Sequence, residues 1–257
     1  MDRNKALTVL RITAALAAWF AVFKLYAAFI DPLLEGVLPD MVRMILSSMA
    51  VPYTLGLGAF MLIAGGMKTS RPAASLEVRP AGLMKLFVIQ TGLSFPCLVA
   101  VNIIYKVLGL EMGGISSDEL LGNLVFYIIL LLIFNPVFEE LLFRKMVLER
   151  LGCLGGKGAV ICSAVLFALP HVISQGPAQM LYTFALGLVW GYVTLKSGKL
   201  WPAIILHSLS NVYGAFIPMI AGEIMPLLSV LFVAFTMSVM LPLAIIFLTV
   251  KPRKRAK

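Results

Sequence analysis

YIILLLIFNPVFEELLFR, residues 127–144, runs apolar from Tyr127 to Phe134 and then sets Asn135–Pro136, two adjacent carboxylates and an arginine within ten residues. A stretch this greasy is either the centre of a large soluble core or a membrane span. The rest of the chain decides between them. It is 61% hydrophobic and only 13% charged, with a mean hydropathy of +0.99. A soluble domain carries about 25% charged residues, so bulk composition alone defines an integral membrane protein.

Working outward from that stretch, a spanning helix needs about 20 mostly apolar residues. Runs of this kind fall near 10–30, 42–66, 81–107, 119–148, 158–174, 177–195, 201–220 and 225–249. The pattern predicts an all-α, polytopic integral membrane helical bundle of about eight transmembrane helices, and residues 1–257 read as a single integral-membrane domain. The fifth and sixth runs are separated only by the link HVISQGP. The first run follows a basic start and is too long for a cleaved signal region, so it reads as a retained helix. No repeat or low-complexity tract interrupts the chain.

The net charge of +9 does not point to nucleic acid, because the basic residues sit at the ends of apolar runs and in the tail. Arg3, Lys5 and Arg11 flank the start of the first run; Lys68, Arg71, Arg79 and Lys85 follow the second. Lys145, Arg150 and Lys157 sit around the junction of the fourth and fifth, Lys196 and Lys199 between the sixth and seventh, and the chain ends KPRKRAK. The intervening loops carry Asp31, Glu35 and Asp40, then Glu111, Asp118 and Glu119, and lastly Glu223. Basic loops stay in the cytoplasm. Eight spans with both termini cytoplasmic, in a cell membrane, satisfy this alternation; seven do not. Trp201–Pro202 suits an interfacial helix start on the inner side. Cys97, Cys153 and Cys162 match no metal or disulfide spacing and read as packing residues.

Ionisable groups at membrane depth are expensive and usually functional. Glu139 and Glu140 follow Asn135–Pro136, where the missing proline N–H frees a carbonyl and favours a kink or local unwinding. The helix is expected to continue through LFRKMVLER and stop at Gly152. Glu140 and Arg144, four apart, share a helix face, whereas Glu139 points about 100° away, free to face the bundle. A cluster at the lipid boundary, reaching water, is the plain alternative for these charges. However, both histidines of the chain, His171 and His207, also lie in apolar runs. Glu139 is sixteen residues before the glycine turn near Gly155 and His171 sixteen after it, so an antiparallel pair brings them to one depth. Phe167 and His171 are four apart, as are His207 and Asn211 in HSLSN. His207 lies about 9 Å along its helix from Trp201. The bland reading of His207, Asn211, Ser208 and Ser210 is polar glue between helices.

Together these groups suit hydrolysis without a serine or cysteine nucleophile. A carboxylate in a low-dielectric site is a better base, so Glu139 and His171 could hold and deprotonate a water. His207 and Asn211 could donate to the oxyanion formed on a peptide carbonyl. Arg144 would orient and neutralise Glu140. A zinc site on Glu139, His171 and His207 competes, with water as fourth ligand. The chain lacks HExxH, and the version with no cofactor is favoured without zinc being excluded.

FEELLFR, FALPH and HSLSN resemble the three motifs of the CPBP family of intramembrane proteases, the group that includes the CAAX-processing type II endopeptidase and is also called the Abi family. The first, two glutamates, three residues and arginine, corresponds to Glu139, Glu140 and Arg144. The second, phenylalanine, three residues and histidine, corresponds to Phe167 and His171. The third, histidine, three residues and asparagine, corresponds to His207 and Asn211. The resemblance covers roughly 119–215. It implies that Glu139 and His171 activate water, that His207 and Asn211 form the oxyanion hole, and that Glu140, Arg144 and Phe167 support them. It also implies an intramembrane endopeptidase acting on a membrane-associated or lipidated protein or peptide, opening here toward the basic, cytoplasmic side. Eukaryotic members of the family act after a prenylated cysteine, while many bacterial ones process peptides or confer bacteriocin immunity. The compact length and short loops resemble the bacterial group. A transporter or ion-coupled carrier using the same Glu/His cluster is the leading non-enzyme alternative, followed by an idle scaffold. Substrate identity and oligomeric state are not readable from the sequence.

Overall fold

The computed structural model describes residues 2–70, 74–109, 115–177 and 179–250. Arg71, Glu111 and the basic tail at 251–257, used above for topology, lie outside the described residues. Among the described residues the chain is all-α. Seven helical stretches are long and apolar enough to cross a membrane: Arg3–Leu34, Asp40–Ala64, Pro80–Val107, Leu124–Leu148, Leu151–Gln175, Trp201–Ile224 and Pro226–Thr249. The chain is a multi-pass membrane protein. Its outward faces are accordingly apolar: Leu62, Val107, Val125 and Ile133 are exposed, which suits a hydrocarbon solvent.

The chain divides into two compact units, Met1–Arg71 with Lys145–Ala159, and Pro72–Arg144 with Val160–Lys257. In the first unit, α1 (Arg3–Leu34) and α2 (Asp40–Ala64) are held by the Trp19 indole, whose Nε1 donates to Pro52 O at 2.9 Å. Gly56 lies against that indole, where a Cβ would come within 2.9 Å of the ring. The C-terminal carbonyls of α2 are capped by two guanidiniums: Arg11 Nε donates to Ile63 O (2.7 Å) and Arg150 Nε to Ala64 O (2.9 Å). Positive charge there complements the helix dipole. At the other end Arg43 is neutralised by Asp31 at 2.8 Å, so this lone basic residue among the acidic ones does not disturb the charge pattern.

The second unit contains α3 (Pro80–Val107), α4 (Ser117–Gly122), most of α5 (Leu124–Leu148) and of α6 (Gly155–Gln175), then α7 (Gln179–Ser197), α8 (Trp201–Ile224) and α9 (Pro226–Thr249). The single run expected over 119–148 is broken at Asn123, whose φ of −126° and ψ of 38° are not helical. The reason is local: Ser116 caps a separate short helix by accepting from Glu119 N at 3.1 Å, the start of a capping pattern. Nor does α5 lead to a stop at Gly152. A 3-10 turn runs from Leu151 to Leu154, and Gly155, at φ 74°, turns the chain into α6. Only glycine adopts that conformation without strain.

The sixth expected span, α7, is present as a 19-residue helix but is not among the seven apolar ones. Its tyrosines, threonines and glycines dilute its hydropathy because much of it is buried against protein: Thr183, Gly187, Trp190, Gly191 and Val193 are all buried. A Cβ on Gly187 would sit 3.1 Å from Ala164, and one on Gly191 3.2 Å from Val160. This small-residue spacing brings the α7 backbone close to α6 and fixes where Trp190 and Phe167 meet. On the other flank α3 packs on α9 through Val88, Met240 and Ala244.

Candidate active site

Pro136 shapes the site before any charged residue does. Without a proline N–H, Leu132 O loses its intrahelical donor, and the backbone is π-helical over Leu130–Phe134. The loosened carbonyls are taken by α8: Ser208 Oγ donates to Leu132 O at 2.8 Å and Asn211 Nδ2 to Leu131 O at 2.7 Å. Two residues of HSLSN thus stitch α8 to the widened turn of α5, as helix glue would, and set the height at which Glu139 and His207 face each other.

Glu140 and Arg144 pair as the i, i+4 spacing predicts, with Arg144 Nε 2.9 Å from Glu140 Oε2 and both side chains wholly buried. Arg144 Nη1 donates to Ser163 Oγ (3.2 Å), which donates in turn to Phe143 O (3.1 Å). The guanidinium carbon lies 5.0 Å from the centre of the Phe167 ring and 5.8 Å from that of Trp190, a cation–π arrangement in a site shut off from water. The second oxygen of Glu140, Oε1, lies 3.1 Å from His207 Nδ1. A carboxylate paired with arginine accepts here, so Nδ1 carries the hydrogen. His207 Nε2 is then the ring's remaining polar edge, and Glu139 Oε2 is 3.9 Å from it.

Glu139 differs from its neighbour. Its Oε2 is buried and has no hydrogen-bond partner among the described residues, and its side chain lines a cavity of about 680 Å³. The cavity is shared by His171, His207 and Asn211. His171 Nδ1 is 2.9 Å from Phe167 O. The carbonyl accepts, so Nδ1 carries the hydrogen and Nε2 keeps its lone pair. Phe167 also packs its ring against that of His171 at 4.8 Å. All seven residues singled out in the sequence therefore lie in one unit: Glu139, Phe167, His171, His207 and Asn211 line one cavity, and Glu140 and Arg144 are buried behind it.

Two further residues belong to this arrangement. The Trp190 indole stacks flat on the His207 imidazole, with ring centres 4.2 Å apart and planes 18° apart. Its Nε1 donates to Gln90 Oε1 at 2.7 Å, and Gln90 Nε2 donates to Leu206 O at 2.9 Å. Gln90 is fully buried in α3. The signal was legible as the lone amide in LFVIQTGLSF, but nothing in the sequence names a partner 100 residues away.

The cavity runs away from the helix ends that carry Lys85, Lys196 and Lys199, contrary to the opening expected on that side. Among the described residues its lining from α3 is Leu98 and Asn102, from α6 Phe167 to Gln175, from α7 Gln179 to Trp190, and from α8 His207 to Met219. Those are the helix parts remote from Lys85, Lys196 and Lys199. Among the described residues no group of three or more His, Cys, Asp or Glu side chains is placed to hold a metal ion.

Residues 121–213 match the family described as type II CAAX prenyl endopeptidase Rce1-like. The matched segment holds all seven motif residues and Trp190, but not Gln90. No curated protein and no solved structure matches the chain.

Proposed function

We propose that the protein is an intramembrane endopeptidase of the CAAX type II kind, a member of the CPBP family with its protease core at 119–215. Eight spans, α7 included, would leave both termini in the cytoplasm. The observation that carries the reading is the contrast within one cavity: a buried carboxylate oxygen of Glu139 with no hydrogen-bond partner among the described residues, beside two imidazoles whose Nδ1 hydrogens are already committed.

In this reading a water sits between Glu139 and His171 Nε2, both acceptors. Glu139 takes a proton as the water oxygen bonds to the carbonyl carbon of the substrate. The negative charge that develops on the carbonyl oxygen needs donors. In this reading His207 carries hydrogens on both ring nitrogens and donates from Nε2. Asn211 supplies the amide hydrogen that is not engaged with Leu131 O. As the carbon–nitrogen bond breaks, Glu139 returns its proton to the leaving amine, so the water is consumed and the carboxylate is restored. Glu139, Glu140, Arg144 and the His207 imidazolium sum to zero charge, which makes the set tolerable at membrane depth.

The test uses purified full-length protein in proteoliposomes with a library of membrane-associated peptides. Cleavage is expected in the parent, absent in Glu139→Gln and His171→Ala, and retained with a chelator. Cleavage that is lost on chelation and restored by zinc would replace this mechanism with the metal one. Solute transport that survives loss of His207 and Asn211, without proteolysis, would favour a carrier.

A further inference from the structure

The geometry points to substrate entry from the external face of the membrane, and so to a substrate class: an extended, uncharged stretch of polypeptide exposed on that side. The inference rests on the endopeptidase reading and on the topology proposed with it.

The floor of the cavity is sealed. Trp190 is 1% exposed and His207 4%, and Phe167, Thr183 and Leu186 beside them are buried. Burial then falls steadily along one direction, until Asn102 and Ser174 at the far end are exposed. Along α7 alone, the twelve residues from Trp190 to Gln179 span about 16 Å. The far end is ringed by Asn102, Ile115, Gln175, Gln179 and Met219.

Gln175, Gln179 and Met219 are toward helix ends remote from basic charge, and Asn102 is followed one turn later by Lys106, against the three acidic residues named below. α3 begins at Arg79 and Lys85 and contributes only its last turns. α7 ends at Lys196 and contributes nothing after Trp190 among the described residues. α8 starts beside Lys199 and contributes nothing before His207. The acidic residues Asp118, Glu119 and Glu223 lie near the ends that do form the mouth. Because basic segments are retained in the cytoplasm, the mouth opens outside.

The lining also says what enters. Glu139 is the only carboxylate in it, and it contains no lysine or arginine among the described residues. The mouth offers the neutral amides of Asn102, Gln175 and Gln179, which suit backbone groups of an extended chain. The walls offer Leu98, Leu131, Leu186 and Met219, which suit apolar side chains. A volume near 680 Å³ admits a short segment and not a folded domain.

The experiment reads access separately from chemistry. In a full-length chain with Cys97, Cys153 and Cys162 replaced, Gln179→Cys, Glu223→Cys and Lys199→Cys are made singly and treated in intact cells with a membrane-impermeant maleimide. Gln179→Cys and Glu223→Cys are expected to label in intact cells, and Lys199→Cys only after permeabilisation, at least tenfold faster than before it. Labelling of Gln179→Cys only after permeabilisation overturns the proposal. A neutral apolar peptide is then offered on one side or the other of oriented proteoliposomes, with Glu139→Gln as the blank. Cleavage confined to peptide on the Lys199 side overturns external entry while keeping the protease. External labelling at Gln179→Cys with no Glu139-dependent cleavage from either side overturns the protease reading and leaves the direction of access standing.

Discussion

Glu139 and Glu140 are neighbours in the chain with identical chemistry, yet they occupy opposite environments. Glu140 is fully buried, and both its oxygens are engaged, one by Arg144 and one by His207. Glu139 lines the cavity and keeps a buried oxygen without a hydrogen-bond partner. A 100° step around the helix separates a carboxylate that is structure from one available for reaction. The same division holds for the histidines: His207 is gripped on a face and an edge, His171 by one backbone carbonyl. On the sealed side the Arg144 charge is matched by Glu140, although its Nη2 is buried without a hydrogen-bond partner among the described residues. In the proposed mechanism the cavity side reacts through the lone pairs left on Glu139 and on His171 Nε2.

The sharpest way to break this comparison is to swap the insults. Glu139→Gln is nearly isosteric and should lower the rate of peptide cleavage by about 10²–10⁴-fold, the usual worth of a general base. The melting temperature in detergent should hardly change. Glu140→Gln should do the reverse, leaving a buried guanidinium without its counter-charge at a cost of about 3–5 kcal/mol. Thermal unfolding would then occur markedly earlier. Removing both charges, in Glu140→Gln with Arg144→Met, should restore much of that loss. If Glu139→Gln unfolds the protein and Glu140→Gln leaves it intact and inactive, the assignment of the two carboxylates is inverted.

Much of this was legible in the sequence, for identifiable reasons. Local periodicity fixes what lies within a turn or two, so Glu140–Arg144 and Phe167–His171 are found where the spacing puts them. Antiparallel depth is also local, because one glycine turn at Gly155 relates Glu139 to His171 by counting. What failed needed information from distant elements. The break at Asn123 is the exception, a local feature that follows the short helix capped by Ser116 just ahead of the apolar run. The weak hydropathy of α7 comes from its burial against α6, a tertiary fact. The direction of the cavity depends on which ends of several helices splay, which no single span encodes. Gln90 announced itself as an amide in lipid surroundings, but its partners Trp190 and Leu206 are 100 and 116 residues away.

HSLSN offers a finer test, since two of its residues perform the same stitch on α5 and only one lines the cavity. Asn211→Leu should lose both the bond to Leu131 O and the donor proposed for the oxyanion, lowering the rate by about 10²–10³-fold. Ser208→Ala removes only the bond to Leu132 O. It should cost about 1 kcal/mol of stability and change the rate no more than a few-fold. Equal rate losses in the two variants, measured at matched folded fraction, would reduce Asn211 to helix glue and leave His207 as the sole proposed donor.

The smallest effect expected is at Gln90, and it asks whether the sealed side acts on the reactive side at all. Gln90→Leu leaves the Trp190 indole N–H buried without an acceptor, a loss of about 1–3 kcal/mol. Trp190→Phe keeps an aromatic face over His207 and removes that donor, so the double variant should cost less than the sum of the singles. The chain has only two histidines, which makes their ring protons assignable by comparison with His171→Ala. Stacking at 4.2 Å places His207 under the indole ring current, so Gln90→Leu should move the His207 proton shifts and leave those of His171 in place. If stability falls but the His207 shifts stay fixed, Gln90 merely fills the membrane core. If the shifts move and kcat falls with KM unchanged, a residue outside the matched segment 121–213 is positioning a group inside it.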